Sequence, residues 1–128
     1  MQLFSESKLV AGYSNGNVAL FDTSTGQHTR SYTSHNQAVN SIQTDGNTIV
    51  TSSNDSTIKE QVLETGATLH SYRDPQTPSP INFAQFDDKK IVSAQQDNTI
   101  KVWNRENGSR IYSLLGGLKK KKIIILHI

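Results

Sequence analysis

The apolar and β-branched residues of this chain come in short runs separated by turn-forming residues. Between residues 34 and 74 the runs are 38–43, 48–53, 57–63 and 67–72, and the breaks are Thr44-Asp45-Gly46-Asn47, Asn54-Asp55-Ser56 and Glu64-Thr65-Gly66. Asp-Gly and Asn-Asp-Ser between β-branched runs are hairpin signals, because these residues tolerate positive φ. No stretch in this unit carries the 3.6-residue periodicity of an amphipathic helix. The pattern therefore predicts four short antiparallel strands.

The same pattern recurs without gaps. Leu9-Val10-Ala11-Gly12-Tyr13-Ser14-Asn15-Gly16-Asn17-Val18 lies in register with Ile49-Val50-Thr51-Ser52-Ser53-Asn54-Asp55-Ser56-Thr57-Ile58 and with Ile91-Val92-Ser93-Ala94-Gln95-Gln96-Asp97-Asn98-Thr99-Ile100. Downstream, Phe21, Gln61 and Trp103 share a column, as do Gly26, Gly66 and Gly108, and then Tyr32, Tyr72 and Leu114. Upstream, Val39 aligns with Ile81 and Asp45 with Asp87, whereas residues 1–8 match only the end of that stretch. The spacing is 40 residues from Leu9 to Ile49 and 42 from Ile49 to Ile91. That period fits four-stranded blades and also helical HEAT-type pairs. Four strand-like runs per unit select the blades. The expected units are 1–33 (partial), 34–74 and 75–117, followed by a tail at 118–128 that breaks the repeat.

The third unit, Ile91-Val92-Ser93-Ala94-Gln95-Gln96-Asp97-Asn98-Thr99-Ile100-Lys101-Val102-Trp103-Asn104, resembles the WD-repeat pattern Leu-Val-Ser-Gly-Ser-x-Asp-x-Thr-Ile-x-Val-Trp-Asp. The likeness covers roughly residues 1–117. The segment Ala84 to Ser93 is also similar to blades of F-box/WD-repeat proteins, a weaker likeness. The resemblance implies an all-β fold, a partial β-propeller of about three four-stranded antiparallel blades, open rather than closed. It also implies a structural hydrogen-bond set of His, Ser or Thr, Asp and Trp in each complete blade, since a buried Asp is costly unless donors surround it. Here the set is incomplete everywhere. The second unit has His35, a Thr51 or Ser53 hydroxyl and Asp55, with Gln61 in place of Trp. The third has Ser93, Asp97 and Trp103, with Pro75-Gln76-Thr77-Pro78-Ser79-Pro80 in place of the Gly-His segment. The first has Asn15 for Asp and Phe21 for Trp.

The resemblance further implies a protein-interaction scaffold without enzymatic activity, whose partners are other proteins or peptides. Loops at 33–38, 53–57, 73–80 and 95–99 would form its rim, with Arg73, Gln76 and Gln96 as candidate partner-binding residues. Substrate recognition in a ubiquitin-ligase receptor is the runner-up, although no F-box is present. Three blades cannot close a ring. The expectation is a fragment or truncated product of a larger propeller, completed by missing blades or by a second chain, with outer faces left for those neighbours to cover.

Composition sharpens this reading. Hydrophobic residues are only 34 %, but charged residues are 19 % and the net charge is +2, so regularly spaced Val, Ile and Thr indicate a turn-rich β protein and not a disordered chain. With no cysteine, disulfides and thiolate metal sites are excluded. His28, His35, His70 and His127 lack ligand spacing. No cofactor or metal is expected. The N-terminus does not read as a secretory signal and no apolar run approaches the roughly 20 residues that span a bilayer. An intracellular protein, cytoplasmic or nuclear, without a membrane partner is expected. Lys119 to Lys122 attract phosphates, but no aromatic residues interleave with them, which argues against nucleic acid. His35 and Asp55 could form a proton-transfer pair, but no nucleophile is spaced with them, and a structural hydrogen bond is the expected role. Asp87-Asp88 is expected to face solvent at a turn, and Arg30, Arg73, Arg105 and Arg110 are not expected to cluster, with only Arg73 falling where a binding face would be. The family's phosphopeptide readers gather arginines on one face.

Overall fold

The computed structural model of the protein describes residues 2–5 and 8–115. The expected tail at 118–128 lies outside them. The regular structure among the described residues is strand throughout, in three four-stranded antiparallel sheets. The first comprises β1 (Gln2–Ser5), β2 (Lys8–Gly12), β3 (Asn17–Asp22) and β4 (Gln27–Thr33). The second comprises β5 (Val39–Thr44), β6 (Thr48–Ser53), β7 (Ile58–Val62) and β8 (Thr68–Tyr72). The third comprises β9 (Ile81–Phe86), β10 (Lys90–Gln95), β11 (Thr99–Asn104) and β12 (Arg110–Leu115). In each sheet consecutive strands are neighbours, so each is a meander blade, and none closes on itself. Residues 1–33, expected as a partial blade, nonetheless supply four strands. The short β1 pairs with β2 through Leu3 and Leu9, although its sequence carries little of the repeat.

Local chemistry explains the turns. Gly26, Gly66 and Gly108 sit at φ 73°, 76° and 76°, which only glycine adopts without strain, and each N–H donates to the carbonyl four residues back at 2.8 Å. Asp45 and Asp87 close the first hairpin of their blades. Asp45 Oδ1 accepts the N–H groups of Asn47 and Thr48, and Asp87 Oδ1 accepts those of Lys89 and Lys90. Asp87 is thus a turn-former, as an Asx side chain at such a position should be.

Alternation within each strand gives every blade a leading face, turned toward the preceding blade, and a trailing face, turned toward the next. Val10, Val18, Leu20 and Tyr32 on the first trailing face pack with Ile49 and Leu63, and partly buried Val39 and Ile42 join them. Val50, Ile58 and Tyr72 on the second trailing face pack with Ile81, Ala84, Phe86, Ile91 and Trp103. The core is therefore two slabs between blades. Burial of each large apolar side chain there contributes roughly 1.5–3 kcal/mol.

Polar clasps lock the blades in register. Gln43 Oε1 accepts the Phe86 N–H at 3.1 Å, and Ser41 Oγ accepts that of Ala84 at 3.1 Å. Glu60, buried on the second trailing face, accepts from Arg105 at 3.0 Å and from the Tyr72 hydroxyl at 2.8 Å, while Arg105 also lies 4.6 Å from the Phe86 ring centre. Burial and the neighbouring Glu60 carboxylate push the Tyr72 phenol well above its ordinary range.

Candidate functional site

Five connections gather at one end of the blades: 13–16, 34–38, 54–57, 73–80 and 96–98. Backbone bonds tie 13–16 to 34–38, 34–38 to 54–57, and 73–80 to 96–98. His35 N–H donates to Gly16 O at 3.0 Å, Asn54 N–H to Ala38 O at 3.1 Å and Gln96 N–H to Pro80 O at 2.9 Å. Gly16 is required at its position. Its φ is 93°, and an added Cβ would fall 2.0 Å from the His35 carbonyl oxygen. The turns Asn54-Asp55-Ser56 and Gln96-Asp97-Asn98 place Ser56 and Asn98 at φ 72° and 70°.

The second blade assembles its expected set around His35, which is 3 % exposed. Its Nδ1 lies 3.0 Å from Asp55 Oδ2 and its Nε2 2.7 Å from Thr51 Oγ1. Burial lowers the pKa of His35 below its ordinary 6.5, against the opposing pull of Asp55. The neutral ring then donates from Nδ1 to Asp55 and accepts the Thr51 hydroxyl on Nε2. For Asp55, burial acts to raise the pKa, but the Thr57 hydroxyl, His35 and the Asn36 and Thr57 N–H groups outweigh it and hold the carboxyl below its ordinary value. Both His35 nitrogens and the carboxylate are thus occupied within the fold. Of the two hydroxyls proposed for His35, Thr51 meets it. Ser53 instead accepts the Asp55 N–H and donates to Gln37 O, both at 3.1 Å. Gln61, in the Trp column, accepts from Ser34 at 2.7 Å and donates to Gly66 O at 3.1 Å.

The third blade holds the other half of the set. Trp103 Nε1 donates to Ser93 Oγ at 3.1 Å. With the Gln95 amide oriented to donate to Ser93 O and Thr99 O, its oxygen accepts from Ser93 Oγ at 3.0 Å, the part that His35 plays for Thr51. Asp97 stands apart. It is exposed and holds its own turn, accepting from the Thr99 N–H and hydroxyl, while its N–H donates to Ser79 Oγ.

The His35 column is occupied by Thr77 in the third blade, and a charged cluster unforeseen from the sequence surrounds it. Asp74 Oδ2 accepts from Lys101 at 3.1 Å, from Arg110 at 2.6 Å and from the Thr77 hydroxyl at 2.9 Å. Lys101, 1 % exposed, also donates to Thr77 O at 2.9 Å. Burial acts to raise the pKa of Asp74, but Lys101, Thr77 and two backbone N–H groups win and hold it far below the usual carboxylate range. A signal was available. Strand alternation puts Lys101 on the face of Trp103, so a buried cation needed an acid nearby.

Arg73, Gln76 and Gln96 are all exposed on these loops. Arg73 and Gln76 line a shallow cleft with Asp74, Pro75, Trp103 and Arg110, and Gln96 is not part of its lining. Arg73 and Arg110, not expected to cluster, both line this cleft, and Arg110 is held there by Asp74. Arg105 is committed to Glu60.

Comparison with known proteins agrees with this architecture. The family model described as WD domain, G-beta repeat matches residues 26–59 and 67–104. Among solved structures, the chain is similar to the computationally designed Ika8 protein, with 31 % identity and a TM-score of 0.79 over 89 % of this chain and 35 % of that one. It is similar to the computationally designed Ika4 protein at 31 % identity and a TM-score of 0.78, over 88 % of this chain and 69 % of that one. The WD40 β-propeller domain of Doa1 is similar in fold, at 24 % identity and a TM-score of 0.79, over 90 % of this chain and 38 % of that one. The chain thus spans about a third of the Ika8 and Doa1 chains. No curated protein matches it.

Proposed function

The chain belongs to the WD40 repeat family, and from that premise we propose that it is a non-enzymatic scaffold whose loop rim docks other proteins or peptides. One observation carries the reading. The polar residues that could do chemistry are spent on holding the loops, while the residues that point outward are free to contact a partner. His35, Asp55 and Thr51 satisfy one another, and Ser93 is divided between Trp103 and Gln95. Arg73, Gln76 and Gln96 stand exposed, with the Gln76 N–H held by Asp74 Oδ1 and the Gln96 N–H by Pro80 O. A rigid loop loses little entropy on binding, which is what a docking surface needs. The cysteine-free sequence is compatible with a role inside the cell.

The test compares capture by the wild-type chain with capture by a triple variant, Arg73→Glu, Gln76→Ala and Gln96→Ala. A control variant, Glu64→Lys, changes the opposite end. A partner held by the wild type and the control but lost by the rim variant supports the proposal. A partner whose capture follows the control instead places binding elsewhere and removes the rim reading.

A further inference from the structure

The seam between the first and second blades is an internal control for the seam between the second and third. Counted on from Tyr32 and Tyr72, Thr33 and Ser34 stand in the first seam where Arg73 and Asp74 stand in the second, and Thr68 stands where Arg110 does. The first seam therefore closes with no charge at these three positions. Ser34 donates to Gln61 Oε1, and the Tyr32 ring packs so close to Gly66 that a Cβ would not fit there. At Gly108, the equivalent of Gly66, the nearest atoms to an added Cβ belong to His70 and Tyr72, 3.6 and 3.9 Å away. The connection into the third blade is also longer, nine residues from Tyr72 to Ile81 against seven from Tyr32 to Val39. Blade stacking thus does not require the charges of the second seam.

Those charges line a cleft of about 360 Å³, with Arg73, Asp74, Gln76 and Arg110 on its wall. Arg73 is exposed and has no hydrogen-bond or ion-pair partner among the described residues. Arg110 donates from Nη1 to Asp74 Oδ2 at 2.6 Å, yet its side chain is still 37 % exposed. Asp74 has no capacity left for a second guanidinium. Its Oδ2 also accepts from Lys101 and the Thr77 hydroxyl, and its Oδ1 accepts the N–H groups of Gln76 and Thr77. One carboxylate stands among three cations, so the wall keeps a positive charge.

The donors that remain define the ligand. The Gln76 N–H is given to Asp74, the Gly108 N–H to Asn104 O and the Ser109 N–H to Asn107 Oδ1. An incoming anion therefore meets guanidinium N–H groups and the Gln76 side chain, not a nest of backbone amides. Forked guanidinium donors match the two oxygens of a carboxylate. A phosphate would bring a third oxygen with few donors to meet it, and a second charge close to Asp74.

Building on the rim reading, we propose that this cleft receives the carboxylate of a Glu or Asp side chain on a docked peptide, held between Arg73 and Arg110. Asp74 fixes Arg110 in advance, so little ordering is left to the moment of binding. Gln96, outside the cleft, takes no part in this contact.

Nuclear magnetic resonance titration of the full 128-residue, nitrogen-labelled chain tests it. The probe is acetyl-Ala-Ala-Glu-Ala-Ala-amide, compared with the same peptide carrying Gln or phosphoserine in place of Glu. The Glu peptide should give saturable shifts at residues 73–76 and 108–110 and at the Arg73 and Arg110 Nε–H groups. The Gln peptide should bind about 5-fold more weakly or worse. Arg73→Gln and Arg110→Gln should each weaken the Glu peptide about 5-fold, and added salt should weaken it further. Arg110→Gln leaves Lys101 on Asp74, so the chain should stay folded, which the dispersion of its spectrum reports. Arg30→Gln removes the same charge from the outer strand of the first blade and should change nothing. Absent shifts, shifts confined to other residues, an equal loss with Arg30→Gln, or tighter binding of the phosphoserine peptide overturns the proposal. Equal binding of the Glu and Gln peptides at these loops also overturns it, and leaves the rim reading standing on its own capture test.

Discussion

At the scale of single residues, the fold is stapled by buried polar groups whose partners are fixed. Removing His35 leaves Asp55 and Thr51 without their partner, so His35→Ala should destabilise the protein by about 1–3 kcal/mol in chemical denaturation. The sign of the pH dependence follows from the depressed His35 pKa. The folded chain prefers the neutral ring, so the stabilisation is complete above 6.5 and is lost as pH falls toward the folded value, because the unfolded chain takes up the proton first. The melting temperature should therefore fall on acidification below about pH 6.5, and His35→Gln should remove that first stage while leaving the later loss from depressed carboxylates such as Asp55. Asp74 gives a sharper test. Asp74→Asn strands the buried Lys101 charge and should cost about 3–5 kcal/mol, whereas adding Lys101→Met should recover most of the loss in a double-mutant cycle. The His35, Thr51 and Asp55 set and the Ser93–Trp103 bond were legible from the resemblance. The Asp74 cluster was legible only as a buried Lys101 in need of an acid, because its members lie on three different elements and no local pattern names Asp74 as that acid.

At the scale of elements, strand positions were legible because turn chemistry punctuates every hairpin. The runs expected at 38–43, 48–53, 57–63 and 67–72 are strands at Val39–Thr44, Thr48–Ser53, Ile58–Val62 and Thr68–Tyr72. The boundaries follow Asp45-Gly46, Asn54-Asp55-Ser56 and the Gly66 column. The four-strand completeness of the first blade was not legible. Backbone pairing alone places β1 beside β2, and that pairing shifts register between Leu3 and Ser5. Gly16→Ala should destabilise by more than the usual 1–3 kcal/mol for a strained φ, because the methyl also meets the His35 carbonyl. Thermal unfolding would show it. The chemically similar Gly46→Ala, also at positive φ but with open space around it, should cost less.

At the scale of the whole molecule, stability resides between blades, so the sheets are not independent units. A two-layer core forms only when one trailing face meets the next leading face, as in other stacked repeats. Trp103 is buried in the second slab, and Trp103→Ala should cost about 3–5 kcal/mol and loosen the second and third blades together. The number and stacking order of blades were readable from the 40- and 42-residue spacing, while the clasps Gln43–Phe86 and Glu60–Arg105 needed coordinates, since repeat columns say which residues are equivalent and not which ones touch. The most direct test of the stacking is a proton nuclear Overhauser measurement on the chain's single tryptophan. Tyr72 and Trp103 belong to different blades, and their ring centres lie 5.9 Å apart in an edge arrangement. Fanned blades predict a cross-peak between the Trp103 indole and Tyr72 ring protons. Its absence in a folded sample, with the Trp103 indole seeing only its own sheet, would contradict the account.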